Sequence, residues 1–202
     1  MSTLPTFSQI RDAPSGLKSP LADALEILFE HSPILVNVLE PQLNGFLQSS
    51  SNIASYSKLI DFALAEISKW NIQAQLQFIF GHPRIGENKN LSTLSANEQG
   101  AKGLNPTPPE VLARLAHLNA CYEKKYPGLR YITFVNGRPR AAIAEEMEKV
   151  LDCSHSLSDE DPALESITPV DIGENKWKSE LDRALYDIGR IAKSRLRAMG
   201  AD

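Results

Sequence analysis

The chain has 202 residues and a formal net charge of -4, with 42% hydrophobic and 23% charged residues. That length suits one domain with a single buried core, and the composition is that of an ordinary soluble globular protein. The acidic balance argues against nucleic acid or an anionic membrane as partner, and no apolar run approaches the about 20 residues of a bilayer span. Cys121 and Cys153 are too few for a disulfide framework and form no CxxC pair for zinc, so two reduced thiols are expected. The first residues lack a basic-then-apolar leader. The last four, Met199-Gly200-Ala201-Asp202, do not match a Ser-Lys-Leu address. A cytoplasmic protein is expected, with the peroxisome as the alternative.

Helical periodicity dominates the chain. After a polar opening, Ser19-Pro20 reads as a cap and first turn leading into Leu21, Ala24, Leu25, Leu28 and Phe29. Pro33 interrupts, and Ile34 to Leu47 resumes the helix despite Pro41. Ser57 to Trp70 sets Leu59, Ile60, Ala63, Leu64 and Ile67 on one face. A helix marked by Ile72, Leu76, Ile79 and Phe80 must stop near Gly81, because a residue before proline avoids helical dihedrals. Arg84 to Leu94 reads as loop, and Ser95 opens a short helix ending near Gly103. Pro108 starts a longer helix through Leu115 and Tyr122. Tyr131 to Val135 is strand-like, and one such run builds no sheet. Pro139 begins a helix through Ile143, Met147 and Val150. Residues 152–175 read as a long loop or insertion, and Lys176 to Met199 as the terminal helix. The expectation is an all-α, single-domain bundle over 1–202, with seven to nine helices and one short extended segment.

Three places stand out chemically. On the terminal helix Leu181, Ala184, Leu185, Ile188, Ala192, Leu196 and Met199 form one stripe, with Arg183, Arg190 and Arg197 opposite as solvated charges. Arg195 falls inside the stripe. It either snorkels to water or aims its planar fork into a cleft where it can hold a carboxylate or urea oxygen. Ser95-Ala-Asn-Glu98 fits a capping box, unless Glu98 points into a pocket to accept a hydrogen bond. In Gly81-His82-Pro83-Arg84-Ile85-Gly86, proline constrains the backbone of a histidine whose ring titrates near neutrality and suits proton transfer. His31, His117 and His155 form no metal-ligand spacing with it, and no GxSxG elbow is present.

Read together, several stretches carry a family resemblance. They are Leu28-Phe29-Glu30-His31-Ser32-Pro33, His82-Pro83-Arg84-Ile85-Gly86, Ser95-Ala-Asn-Glu98-Gln99 with Gly103-Leu104, and Leu118-Asn119-Ala-Cys-Tyr122. Ala184-Leu185 and Ile191-Ala192-Lys-Ser-Arg195-Leu196 complete the set. In this order they resemble 2-oxo-4-hydroxy-4-carboxy-5-ureidoimidazoline (OHCU) decarboxylases. The resemblance implies an all-α homodimer without metal or organic cofactor, turning the ureidoimidazoline into (S)-allantoin and CO2. It implies that His82 is the acid–base group and that Glu98 orients it or the substrate. Ser95, Gln99 and Arg195 then hold the substrate, Pro83 shapes the pocket floor, and Thr133, Phe134 and Val135 lie where relatives present backbone donors. The chain departs from many relatives at Arg84 and Ile85, where they carry Asp and Leu. The competing expectations are a non-catalytic helical interaction module and a hydrolase of a related ureide.

Overall fold

The starts of four helices are written locally. Thr6 and Gln9 form a reciprocal capping box at α1 (Phe7–Asp12). Ser19 accepts from the Ala22 amide ahead of α2 (Pro20–Phe29), with Pro20 in the first turn. Ser55 and Asn71 cap α4 (Tyr56–Ile67) and α5 (Ile72–Phe80) in the same way. The computed structural model describes residues 3–49, 53–87, 92–98, 107–156 and 158–201, with 97 and 98 in backbone only. Among them lie nine α-helices and no strand. None is long and apolar enough to cross a membrane.

The chain forms two compact units, Met1–His82 with Leu185–Asp202, and Pro83–Ala184. In the first, α1, α2, α3 (Glu40–Ser49) and α4 pack around a π turn at Leu35–Leu39. Buried residues here recur every four positions, at Leu35, Leu39, Leu43 and Leu47 and at Val36, Glu40 and Asn44. A straight α-helix of 3.6 residues per turn would rotate such a row off the core. The wider π turn holds the row in line, and it lies just ahead of Pro41, which has no N–H for the α ladder. It also turns Glu40 inward, fully buried, where its carboxylate accepts from the Ser15 and Ser19 hydroxyls at 2.5 Å each and from the Gly16 amide at 3.3 Å. The segment before α2 is thereby fastened to α3.

In the second unit α7 (Pro109–Lys125) packs along α8 (Arg140–Leu151). Their shared core includes Leu115, Leu118, Tyr122, Ile143 and Met147. Arg114 and Glu148 meet inside at 2.8 Å, their side chains 2% and 3% exposed. Arg114 also donates to the carbonyls of Ser158 and Asp161, and Glu148 accepts from His155 and the Ser156 amide. This pair fastens the connection after α8, whose one helical element among the described residues is a 3-10 turn at Leu164–Ser166. The last helix, α9 (Asn175–Met199), has its start in the second unit and its residues from Leu185 in the first. It buries Leu181, Ala184, Leu185, Ile188, Ala192 and Leu196 of the stripe read from sequence, and Trp177 besides, while Met199 is half-buried.

Three sequence expectations change. Residues 7–12 are helical where only a polar opening is expected. The capping box at Ser95 is not the helix start: α6 spans Thr93–Glu98, and the Ser92 hydroxyl accepts from the Ser95 amide at 3.0 Å. Arg183 is not a solvated charge, because it donates to the Ile132 carbonyl at 2.7 Å and lies 4.8 Å from the Tyr131 ring. The expected end of α6 near Gly103 falls outside the described residues.

Removing one member of a buried ion pair strands the other charge, which typically costs about 3–5 kcal/mol. Arg114→Ala is therefore expected to lower the unfolding free energy by that amount in urea denaturation and to expose 152–174 to limited proteolysis.

Candidate active site

The His82 position follows from how α5 ends. The Gly81 amide bonds back to the Phe78 carbonyl at 3.1 Å and the His82 amide to that of Ile79 at 3.0 Å, and Pro83 then stops the ladder. His82 is 4% exposed. Its Nδ1 lies 3.3 Å from the Phe78 carbonyl oxygen, and its ring meets Phe78 edge-on at 5.3 Å. A carbonyl only accepts, so Nδ1 carries the proton in this arrangement. Nε2 is then the basic nitrogen of the neutral ring.

Gly81 is where the turn meets Ser32. A Cβ built on Gly81 would stand 2.8 Å from the Ser32 Cβ, closer than two carbons pack. Ser32 precedes Pro33, and its carbonyl accepts from the Leu35 amide at 3.1 Å. The Ser32 hydroxyl is buried with no hydrogen-bond partner among the described residues.

Arg195 does not snorkel. It is 3% exposed, and its Nη1 donates to the carbonyls of Ile27 at 3.0 Å and Leu28 at 3.3 Å, in the last turn of α2. Its Nη2 pairs with Glu30 Oε1 at 2.6 Å. The guanidinium thus satisfies carbonyls that a helix end leaves without amides and sits at the negative end of the helix dipole. The α2 exit and the His82 turn touch in the same unit: Phe29 meets Phe78 edge-on at 5.9 Å, Phe78 meets the His82 ring edge-on, and Ser32 abuts Gly81.

In the second unit, Pro83 leads into Arg84-Ile85-Gly86. The Asn119 side-chain amide donates to the Ile85 carbonyl at 2.9 Å and to that of Leu115 at 2.8 Å. Gly86, at φ 86°, brings its backbone so near Leu115 that an added Cβ would lie 3.1 Å from Leu115 Cδ1. Arg84 grips Glu123 through two bonds, at 2.6 and 2.8 Å. Arg84, Glu87, Leu112, Ala116, Asn119 and Glu123 are among the residues lining a cavity of about 370 Å³.

Ser95 is 3% exposed inside α6. The Glu98 side chain and Gln99 lie outside the described residues. Tyr131–Val135 is neither helix nor strand; Thr133 and Val135 are each 7% exposed and Phe134 is half-buried. Glu146 takes hydrogen bonds from Tyr131, Arg138 and, at 2.8 Å, the Thr133 hydroxyl. The side-chain bonds to this strip's main chain fall on carbonyls: Ile132 accepts from Arg183, Phe134 and Val135 from Arg138. Burial pushes the Glu146 carboxyl up, but the Tyr131, Arg138 and Thr133 donors outweigh it and hold the group below its usual range. Sequence reasoning missed Glu30, Asn119 and Glu146 as supports. Glu30 and Asn119 lie within quoted motifs, while Glu146 carries no motif signal.

His82 at the exit of α5 and Arg195 on α9 are both buried polar groups of the first unit. The model of the family described as OHCU decarboxylase matches residues 18–166. The chain belongs to the OHCU decarboxylase family, whose members are carboxy-lyases. A protein of Halalkalicoccus jeotgali described as 2-oxo-4-hydroxy-4-carboxy-5-ureidoimidazoline decarboxylase is 26% identical over 147 residues, covering 73% of this chain and 78% of the relative. A protein of the same description from Haloferax volcanii is 25% identical over 134 residues, 66% of this chain and 74% of its own. The uric acid degradation bifunctional protein PucL of Bacillus subtilis is 25% identical over 179 residues, 87% of this chain and 29% of the relative. No solved structure matches the chain.

Two outcomes follow. Gly81→Ala forces a carbon against Ser32 and is expected to cost about 1–3 kcal/mol, as overpacking does, with recovery in Gly81→Ala/Ser32→Gly, both read by urea denaturation. Because the folded Glu146 carboxyl is depressed, its contribution to stability is present above the unfolded value, roughly pH 4.3, and lost as pH falls through the folded one. Thermal midpoints of the wild type should therefore fall more steeply below roughly pH 4.3 than those of Glu146→Gln.

Proposed function

We propose that this chain decarboxylates OHCU to (S)-allantoin and CO2 in urate degradation, with His82 as the acid–base group. The observation that carries the activity is membership of the family across residues 18–166. The one that carries the role of His82 is its burial with Nδ1 against the Phe78 carbonyl.

The chemistry needs a place for an electron pair. When the bond between ring carbon and carboxylate breaks, CO2 leaves and the pair stays on carbon, delocalised into the conjugated carbonyl and imine groups of the imidazoline ring. The substrate is its own electron sink, so the reaction as proposed requires no organic cofactor or metal. The protein's tasks are to hold the carboxylate in a productive geometry, to stabilise the enediolate-like intermediate with fixed donors, and to deliver a proton to one face. Nε2 of His82 is the atom assigned to proton transfer. One-face delivery gives the S enantiomer.

The remaining roles are assigned unit by unit. In the first, Arg195 binds a substrate oxygen through its fork. In the second, Glu98 orients the imidazole or the substrate, and Ser95 and Gln99 hold the ureidoimidazoline. Pro83 shapes the pocket floor, and the backbone of Thr133, Phe134 and Val135 supplies donors. The protein acts as a cytoplasmic homodimer in this reading. Family membership favours it over a non-catalytic interaction module.

Proton transfer by a placed side chain is worth about 10²–10⁴-fold in rate. His82→Ala and Glu98→Ala are each expected to lose turnover by that order on freshly generated substrate while keeping the wild-type circular dichroism spectrum. Near-normal turnover in both would overturn the assignment.

A further inference from the structure

Glu30 is the residue that ends α2, and its backbone conformation is one that side chains avoid. Its φ is 67° and its ψ 158°, a region essentially reserved for glycine. Such strain persists only where surrounding contacts impose it. Here the imposing contact is visible: the side chain is 11% exposed and its Oε1 stands 2.6 Å from Arg195 Nη2. The same guanidinium takes the carbonyls of Ile27 and Leu28, one turn earlier. Three groups of the α2 exit, two carbonyls and a carboxylate, therefore fix the plane of one arginine.

We propose that Glu30 is the positioning residue for Arg195, holding the guanidinium in the orientation in which it receives the substrate's anionic group. This deepens the reading above and rests on the role given there to Arg195. The physical reason is that a guanidinium recognises a carboxylate through a planar fork, so its rotation decides the bond. An arginine at the end of a flexible stem is poorly aimed; one clamped by a charge-assisted bond keeps its plane in a fixed direction. The strained backbone is consistent with a turn shaped around that aim, since a relaxed exit would point the carboxylate elsewhere.

The test is steady-state kinetics on Glu30→Gln, Glu30→Gly, Arg195→Gln and the Arg195→Gln/Glu30→Gln double variant, at a temperature where each keeps its helical circular dichroism. Glu30→Gln keeps shape and backbone while removing charge. Glu30→Gly adopts the observed dihedrals freely while removing the carboxylate. The expected result is a KM raised about 10- to 100-fold in both, the effect of one charge-assisted hydrogen bond, with kcat within about threefold. In the Arg195→Gln background, Glu30→Gln is expected to add nothing, because its effect passes through the arginine. Should Glu30→Gln retain wild-type kcat/KM, or its loss add in full to that of Arg195→Gln, the positioning role is wrong while the role of Arg195 stands. Unchanged kcat/KM in Arg195→Gln itself would remove both. Where Glu30→Gly does not fold, the glutamine cycle decides alone.

Discussion

The burial of one guanidinium sets the terms for the first unit. Arg195 lies in the apolar stripe of α9, 3% exposed, and a charge taken from water must be matched or it destabilises the fold by several kcal/mol. The match is made by the exit of α2: the carbonyls of Ile27 and Leu28 and the carboxylate of Glu30. Because those groups belong to one helix end, the demand fixes where α2 stops and how the chain turns afterward. Ser32 is carried by that turn onto Gly81, and Phe29 onto Phe78, so the platform under His82 is shaped by the same exit. A structural requirement and a chemical one thus fall on the same few residues.

The second unit meets a similar demand differently. Arg114 and Glu148 are buried together between α7 and α8 and fasten the long connection after α8. Asn119 and Gly86 seat the loop that follows Pro83 against α7. Glu146 gathers Tyr131, Thr133 and Arg138 and so holds a strip that is neither helix nor strand. In each case polar side chains replace the backbone pairing that irregular segments lack. Irregular backbone held this way can present main-chain donors in a fixed direction, which a helix, with its amides committed, cannot.

Much of this was legible in the residues. The 3.6-residue period marked seven of the helices and isolated Arg195 as a charge on the wrong face, and His82 between Gly81 and Pro83 was visible as a constrained ring. What escaped has physical causes. Helix α1 is six residues long and buries only Ile10, too little for a period to register. Ser92 and Ser95 are equally good cap residues, and local preference cannot choose between them. Arg183 looked solvated because its partner, the Ile132 carbonyl, lies 51 positions away. Glu30 kept its role hidden for the same reason, since its partner is 165 residues distant. Local patterns encode elements; which polar groups they must satisfy is settled only by the fold.

The central claim is that a single imidazole delivers a proton to one face of the intermediate left when CO2 departs. It is tested most directly by following the optical activity of allantoin as it forms, by circular dichroism, with the wild-type protein and with His82→Gln. The account predicts a large excess of the S enantiomer from the wild type and racemic, uncatalysed product from the variant. Racemic allantoin from the wild type, or undiminished S excess at full rate without the imidazole, would contradict it.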